Sequence, residues 1–188
     1  MKQLTLVALT LLFLPAVLSA QEHTAPESTP ARTKPQSQRY ISDQGRYSVL
    51  FPAEPELSTQ NIIVPTGGQT VQYMATSFAE GTVFLVGYFD YPAGVTFSLN
   101  KARDGMVEGL KGTLLDEQSI SLGGAPGRQL RIGGRLENGT EFMNRARFYD
   151  MQPRVFVLQC MISKDQDGPV AAQKCESFFE SFQVKQGR

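Results

Sequence analysis

Cys160 and Cys175 are the only thiols in the chain, and the chemistry open to them is oxidation to a disulfide. No Cys-x-x-Cys occurs, so the spacing is not that of a dithiol exchanger. Six arginines, Arg128, Arg131, Arg135, Arg145, Arg147 and Arg154, crowd into one stretch. Guanidinium groups gathered in this way can hold phosphate or carboxylate, and Arg131, Arg145 and Arg147 are the candidates for that role. The competing reading is a solvated sheet face paired with Glu137, Glu141 and Asp150. It is favoured, because strand alternation divides the arginines between two faces. Asp165-Gln166-Asp167-Gly168 has the look of a calcium loop's middle. Aligning Gly168 with the loop glycine puts Ser163 and Lys174 where Asp and Glu belong, so capping of a following helix is the better reading. Asp90, just before Tyr91 and Pro92, reads as a turn-forming carboxylate at a strand end. Asn138-Gly139-Thr140 matches a glycosylation acceptor and is also a hairpin turn; the turn reading is preferred.

Other chemistry lacks its residues. The single histidine, His23, lies in a Pro/Ser/Thr/Gln-rich stretch, which leaves no base for a Ser-His-Asp or Cys-His arrangement in a folded domain. There is no Gly-x-Ser-x-Gly and no P-loop, and a His/Cys zinc site has too few ligands. The expectation is a protein that is not an enzyme and has no metal or cofactor.

The N-terminus bears on where these residues work. Lys2, the apolar run Leu4–Leu18 broken at Pro15, and Ser19-Ala20 have the layout of a cleavable secretory signal over residues 1–20. The run is shorter than the ~20 residues a membrane span needs, and no later stretch is long and apolar enough. No transmembrane segment is therefore expected after cleavage. The chain carries 18 Lys and Arg against 18 Asp and Glu. Loss of Lys2 leaves 17 against 18, a formal charge of −1. Such a chain lacks the positive field of a nucleic-acid binder. Residues 21–38, with Pro26, Pro30 and Pro35 and few large apolar groups, read as a disordered linker. A single domain is expected over 39–188, in a periplasm or secreted.

The elements that must position the cysteines and arginines follow from periodicity. Tyr47–Phe51 is β-rich and stops at Pro52. Leu57–Val64 and Thr70–Phe78 flank the turn residues Pro65-Thr66-Gly67-Gly68. Thr82–Asp90, dense in Val, Phe, Leu and Tyr, is the candidate central strand. The period then changes: Leu99, Ala102, Met106 and Leu110 form one helical stripe, with Ser98 as N-cap and an end near Gly112. Strands follow around Leu115–Leu122, Arg128–Leu136, Glu141–Tyr149 and Arg154–Ile162. A two-residue turn at Asn138-Gly139 would pair Arg135 with Phe142, so a longer loop or a bulge stays open. Asp167-Gly168-Pro169 opens a last helix with Ala171, Cys175, Phe178, Phe179 and Phe182 on one face, and a short strand at Phe182–Val184 follows.

Short connections between successive strands argue for an antiparallel sheet, covered by two amphipathic helices. This is an α+β domain. Within Arg154–Ile162, Cys160 shares the apolar face with Phe156, Leu158 and Ile162, and Cys175 lies on the apolar stripe of the last helix. In an exported chain the two are most simply a pair; two buried free thiols are the alternative.

Four segments together resemble a known family. They are Gly45-Arg46-Tyr47-Ser48-Val49-Leu50-Phe51-Pro52-Ala53-Glu54-Pro55, Tyr88-Phe89-Asp90-Tyr91-Pro92, Gly124-Ala125-Pro126-Gly127-Arg128 and Ser177-Phe178-Phe179-Glu180-Ser181-Phe182. They are similar to small exported bacterial domains with the PsbP-like fold of photosystem II extrinsic proteins, shared with a Ran-binding nuclear import factor. The resemblance implies an α/β/α sandwich around an antiparallel sheet. It also implies a protein that binds protein partners, and it carries no functional residue over. The expected function is an exported, non-enzymatic binding or accessory protein whose partner is another exported or envelope protein. The alternative is a small-molecule or lipid carrier using an apolar groove between sheet and helices.

Overall fold

The computed structural model describes residues 38–63, 69–92 and 94–185. The signal expected over residues 1–20, and all of the linker except Gln38, lie outside the described residues.

Among the described residues, ten strands and two helices follow in order. The strands before the first helix are β1 (Gln38–Ser42), β2 (Tyr47–Phe51), β3 (Glu56–Ile63), β4 (Gln69–Ala79) and β5 (Thr82–Asp90). After α1 (Leu99–Gly109) come β6 (Thr113–Leu122), β7 (Ala125–Arg135), β8 (Glu141–Met151) and β9 (Arg154–Ser163). A 3-10 turn leads into α2 (Pro169–Glu180), and β10 (Gln183–Val184) ends the order. Seven strands form one antiparallel sheet in the order β3-β4-β5-β9-β8-β7-β6, and three form a small one in the order β1-β2-β10. β9 occupies the centre of the large sheet, with β5 beside it. Every residue of β9 between Val155 and Ile162 is buried, as a strand covered on both faces must be.

Alternation sorts the core into two clusters. One face of the large sheet carries Phe84, Val86, Tyr88, Tyr149, Phe156, Leu158 and Cys160, and it packs with Cys175, Phe178 and Phe179 of α2 and with Tyr47, Val49 and Phe51 of β2. The other carries Phe89, Leu130, Ile132, Ala146, Phe148, Val155 and Val157, with Ala102 and Met106 of α1. Each large side chain removed from water in this way contributes roughly 1.5–3 kcal/mol. Ser98 caps α1, its hydroxyl accepting from the Lys101 amide at 3.4 Å. The sulfurs of Cys160 and Cys175 are bonded, with Cα atoms 5.6 Å apart, and both residues are fully buried between β9 and α2.

The structure changes three details of the sequence reading and decides one that it left open. Gln38 belongs to β1, a strand the sequence analysis does not contain. Five residues with one strong apolar alternation are too short to signal a strand alone, and pairing with β2 along the whole length supplies the stability. At Asn138-Gly139 the ladder runs Gly134↔Phe142 and Arg135↔Glu141, so the longer loop is the one used. Leu136 and Thr140 close it with a 2.8 Å backbone bond, and Arg135 gains a 2.8 Å ion pair with Glu141. Asp167 does not cap α2. Gly168 is the N-cap with no side-chain bond, and the Asp167 carboxylate reaches back to Arg145. Finally, Asp90 does not form a turn: it holds Arg154 across the sheet, as described next.

Candidate functional site

A cleft of about 310 Å³ opens where the small sheet meets the β3 side of the large one. It is lined by Tyr40, Ser42, Gln44, Tyr47, Leu57, Ser58, Thr59, Tyr73, Met74, Ala75 and Tyr88. Both sheets end at this mouth, because β1 and β3 are the terminal strands of their sheets. Four tyrosines from four strands converge on it. Tyr73 and Tyr88 stand directly opposite in the β4–β5 ladder, and their rings stack with centroids 5.0 Å apart. Tyr47 meets Tyr88 edge-on at 6.1 Å, and Tyr40 meets Tyr47 at 6.0 Å. Such offset and edge-on pairs add ~0.5–1.5 kcal/mol each beyond burial.

Arg154 fixes the geometry of this mouth. Asp90 and Arg154 are cross-strand partners at the end of β5 and β9. The guanidinium grips the carboxylate with two bonds, Nε to Oδ1 at 2.6 Å and Nη2 to Oδ2 at 2.7 Å. Its remaining nitrogen, Nη1, donates to the carbonyl oxygens of Gln44 (3.0 Å) and Gly45 (2.9 Å) in the β1–β2 turn. Its plane also lies 4.6 Å from the Tyr88 ring centroid. One side chain therefore ties the small sheet's turn to the large sheet's end, using the rigid fork that Lys lacks.

The β1–β2 turn depends on Gly45. Its amide donates to Ser42 Oγ at 2.9 Å. A Cβ there would meet the Tyr47 ring at 2.6 Å and Ser42 Oγ at 2.7 Å. Gly45→Ala will therefore displace Tyr47 and loosen the mouth, lowering stability by roughly 1–3 kcal/mol. Urea denaturation checks the size, and a loss under a few tenths of a kcal/mol would show that the turn relaxes freely.

Burial holds the Tyr47 hydroxyl far above the usual phenol range. It also raises Tyr88, against the opposing pull of Arg154. Both stay protonated near neutrality, so they donate and accept hydrogen bonds and do not act as bases or nucleophiles. The Asp90 hydrogen bond raises Arg154 in turn, which keeps the fork charged. Among the described residues no group of three or more His, Cys, Asp or Glu could hold a metal ion. What the mouth offers is a partly polar aromatic surface.

Comparison with solved structures bears on the architecture. The chain is similar to the solution structure of cyanobacterial PsbP (CyanoP) from Synechocystis sp. PCC 6803 over 84% of this chain and 98% of that one, with a TM-score of 0.57 and 12% identity. The chain has a PsbP-like fold. A protein of unknown function from Pseudomonas aeruginosa is similar over 81% of this chain and 99% of that one, at 12% identity and a TM-score of 0.48. A Bacteroides thetaiotaomicron protein is similar over 80% of this chain and 49% of its own, at 15% identity and a TM-score of 0.44. No protein-family model matches the sequence, and no curated protein does. Likeness at this level of identity carries the fold and leaves function to the site.

In this PsbP-like fold Arg131, Arg145 and Arg147 do come together. Arg131 stands opposite Arg145, and Gln129 opposite Arg147, all on the α2 side of the sheet. Alternation does not divide the arginines as the sequence reading expects. Arg135 and Arg154 share that side as well, and only Arg128 faces the other way. Two of the three candidates are already engaged. Arg145 pairs with Asp167, while Arg147 pairs with Glu176, bonds Gln129 at 2.7 Å and lies 4.9 Å from the Phe179 ring centroid. Asp167, Glu176 and Phe179 come from α2 and the turn before it, and Gln129 from β7. Glu137 lies 3.9 Å from Lys111 instead, and Asp150 accepts from the Tyr91 hydroxyl at 3.0 Å. Arg131 is exposed. The cluster thus reads as packing and pairing along α2.

Sequence reasoning missed the tyrosine mouth. The four tyrosines are separated by 7, 26 and 15 positions (47 − 40, 73 − 47, 88 − 73), a spacing with no period. The register alone brings them together.

Proposed function

We propose that the protein is an extracytoplasmic, non-enzymatic accessory domain that binds another exported or envelope polypeptide through the tyrosine-lined mouth between β1 and β3. The observation that carries this reading is the mouth itself: four tyrosines set at the junction of two sheet ends and braced by Arg154. Tyrosine supplies large, rigid contact area with a polar handle. The reading takes α1 and α2 as the outer layers of an α/β/α sandwich, which leaves sheet edges for contact. The Cys160–Cys175 bond supports an oxidising compartment. No helix among the described residues is long and apolar enough to cross a membrane.

The carrier alternative has less behind it. A groove between sheet and helices would need room that Phe178 fills, its ring 5.2 Å from Phe84 and 5.3 Å from Phe51. The two clefts described lie elsewhere, one at the tyrosine mouth and one of about 450 Å³ beside Tyr91, Val95 and Pro153. Native mass spectrometry of protein recovered from its own cells separates the readings. A stoichiometric polypeptide adduct is expected, and a retained small molecule without polypeptide would replace this reading with the carrier.

A further inference from the structure

We infer that the outer edge of β3 is a docking site for an extended segment of the partner, which adds to the large sheet as an antiparallel strand and lays alternate side chains into the tyrosine mouth. This rests on the binding reading above and names the chemistry of the partner.

The two edges of the large sheet are built differently. β6, at one end, has a register shift between Leu114 and Asp116 and carries the carboxylates Asp116 and Glu117. A bulge and charges are the devices by which an edge is kept from pairing. β3, at the other end, pairs with β4 without a break through eight residues, Glu56↔Thr76 to Ile63↔Gln69. It contains no Pro, Lys or Arg and only Glu56 as a charge. A regular edge of this kind presents amide and carbonyl groups at alternate residues, roughly 7 Å apart. An extended backbone satisfies that array, and a helix or a small molecule does not.

The side chains give the segment its character. Thr59 pairs with Tyr73, and Tyr73 with Tyr88, so a new strand extends an existing cross-strand row. A partner residue opposite Thr59 would continue the row with an apolar or aromatic side chain. Leu57 on the same face is 66% exposed. It would be covered. Glu54 and Glu56 are exposed at the start of β3 and make no ion pair among the described residues. An antiparallel segment brings its C-terminal part to that end. The partner is therefore an extended stretch of roughly six to eight residues, apolar at alternate positions, with Lys or Arg toward its C-terminal side.

The test uses the mature protein and a phage-displayed library of random dodecapeptides. Enriched sequences are expected to alternate apolar residues and to carry a basic residue near the C-terminal end. A synthesised winner is expected to slow amide exchange across residues 56–63. Leu57→Lys places a cation on the edge at an exposed position and is expected to weaken that peptide by about tenfold or more, with the melting temperature unchanged. Leu115→Lys, on the β6 edge, is expected to bind like the parent. Slowed exchange elsewhere, or unaltered binding by Leu57→Lys, overturns strand addition. So does protection of residues 56–63 that grows with protein concentration alone, since a second copy would then occupy the edge. If native mass spectrometry finds a polypeptide adduct while exchange at 56–63 is unaffected, the binding reading stands and only the edge fails. If neither adduct nor peptide binds, the binding reading itself falls.

Discussion

Reduction of the Cys160–Cys175 bond will lower the melting temperature by about 6–12 °C. The bond closes a loop of 15 residues, for which the chain-entropy account gives about 3 kcal/mol. In a domain of this size each kcal/mol moves the midpoint by roughly 2–4 °C. Both residues are fully buried in the cluster that joins β9, α2 and β2, so the loss is felt where the core is densest. The double variant Cys160→Ala, Cys175→Ala will lose more, because each truncation also empties a packed position. Calorimetry with and without reductant checks the first expectation. Thiol labelling of denatured, unreduced protein checks the bond, and two labelled thiols would refute it.

Gly127→Ala will cost roughly 3 kcal/mol, the upper end of what an overfilled site loses. The reason lies in one row of the sheet. Register places Thr59, Tyr73, Tyr88, Phe156, Tyr149, Gly127 and Ile120 side by side across seven strands. Tyr149 lies against the missing side chain. A Cβ on residue 127 would sit 2.9 Å from the Tyr149 ring and 2.3 Å from the Phe148 carbonyl oxygen. A flexible side chain could move, but a backbone oxygen inside a ladder cannot without parting β7 from β8. Gly133→Ala on the same strand is the control, since its nearest contact is the end of Leu115 at 3.2 Å. Urea unfolding of both variants measures the contrast, and equal losses would show that the row yields at Gly127.

Gly127 also shows what a sequence reveals and what it hides. The Gly124-Ala125-Pro126-Gly127 segment is visible as a recurrent string, yet its purpose appears only when Tyr149 is placed beside it. Helix α1 was legible because a single stripe at helical spacing can have few other meanings, and Ser98 marks its start. The strands were legible for the same local reason. β1 was not, since its stability comes from β2 and not from its own five residues. Strand alternation suggested arginines on both faces. The ladder instead puts all but Arg128 on one, because the faces of neighbouring strands are linked through registers that no single strand contains. The tyrosine mouth and the Asp90–Arg154 grip are the extreme case, assembled from residues up to 114 positions apart (154 − 40).

The last strand has a consequence for the order in which the molecule can be made. β2 is completed by β10, whose residues pair Gln183↔Ser48 and Val184↔Tyr47, and the Lys185 amide bonds the Arg46 carbonyl at 2.8 Å. Phe182, just before β10, meets Tyr47, Tyr149 and Phe156. β2, made long before β10, therefore waits with its apolar side uncovered until residues 182–184 have been made. Contacts of such sequence separation form late and slowly. A nascent chain of this design cannot complete the small sheet until β10 has been made and is exposed to aggregation in the meantime, which is the state a holding chaperone recognises and a translocation channel can thread.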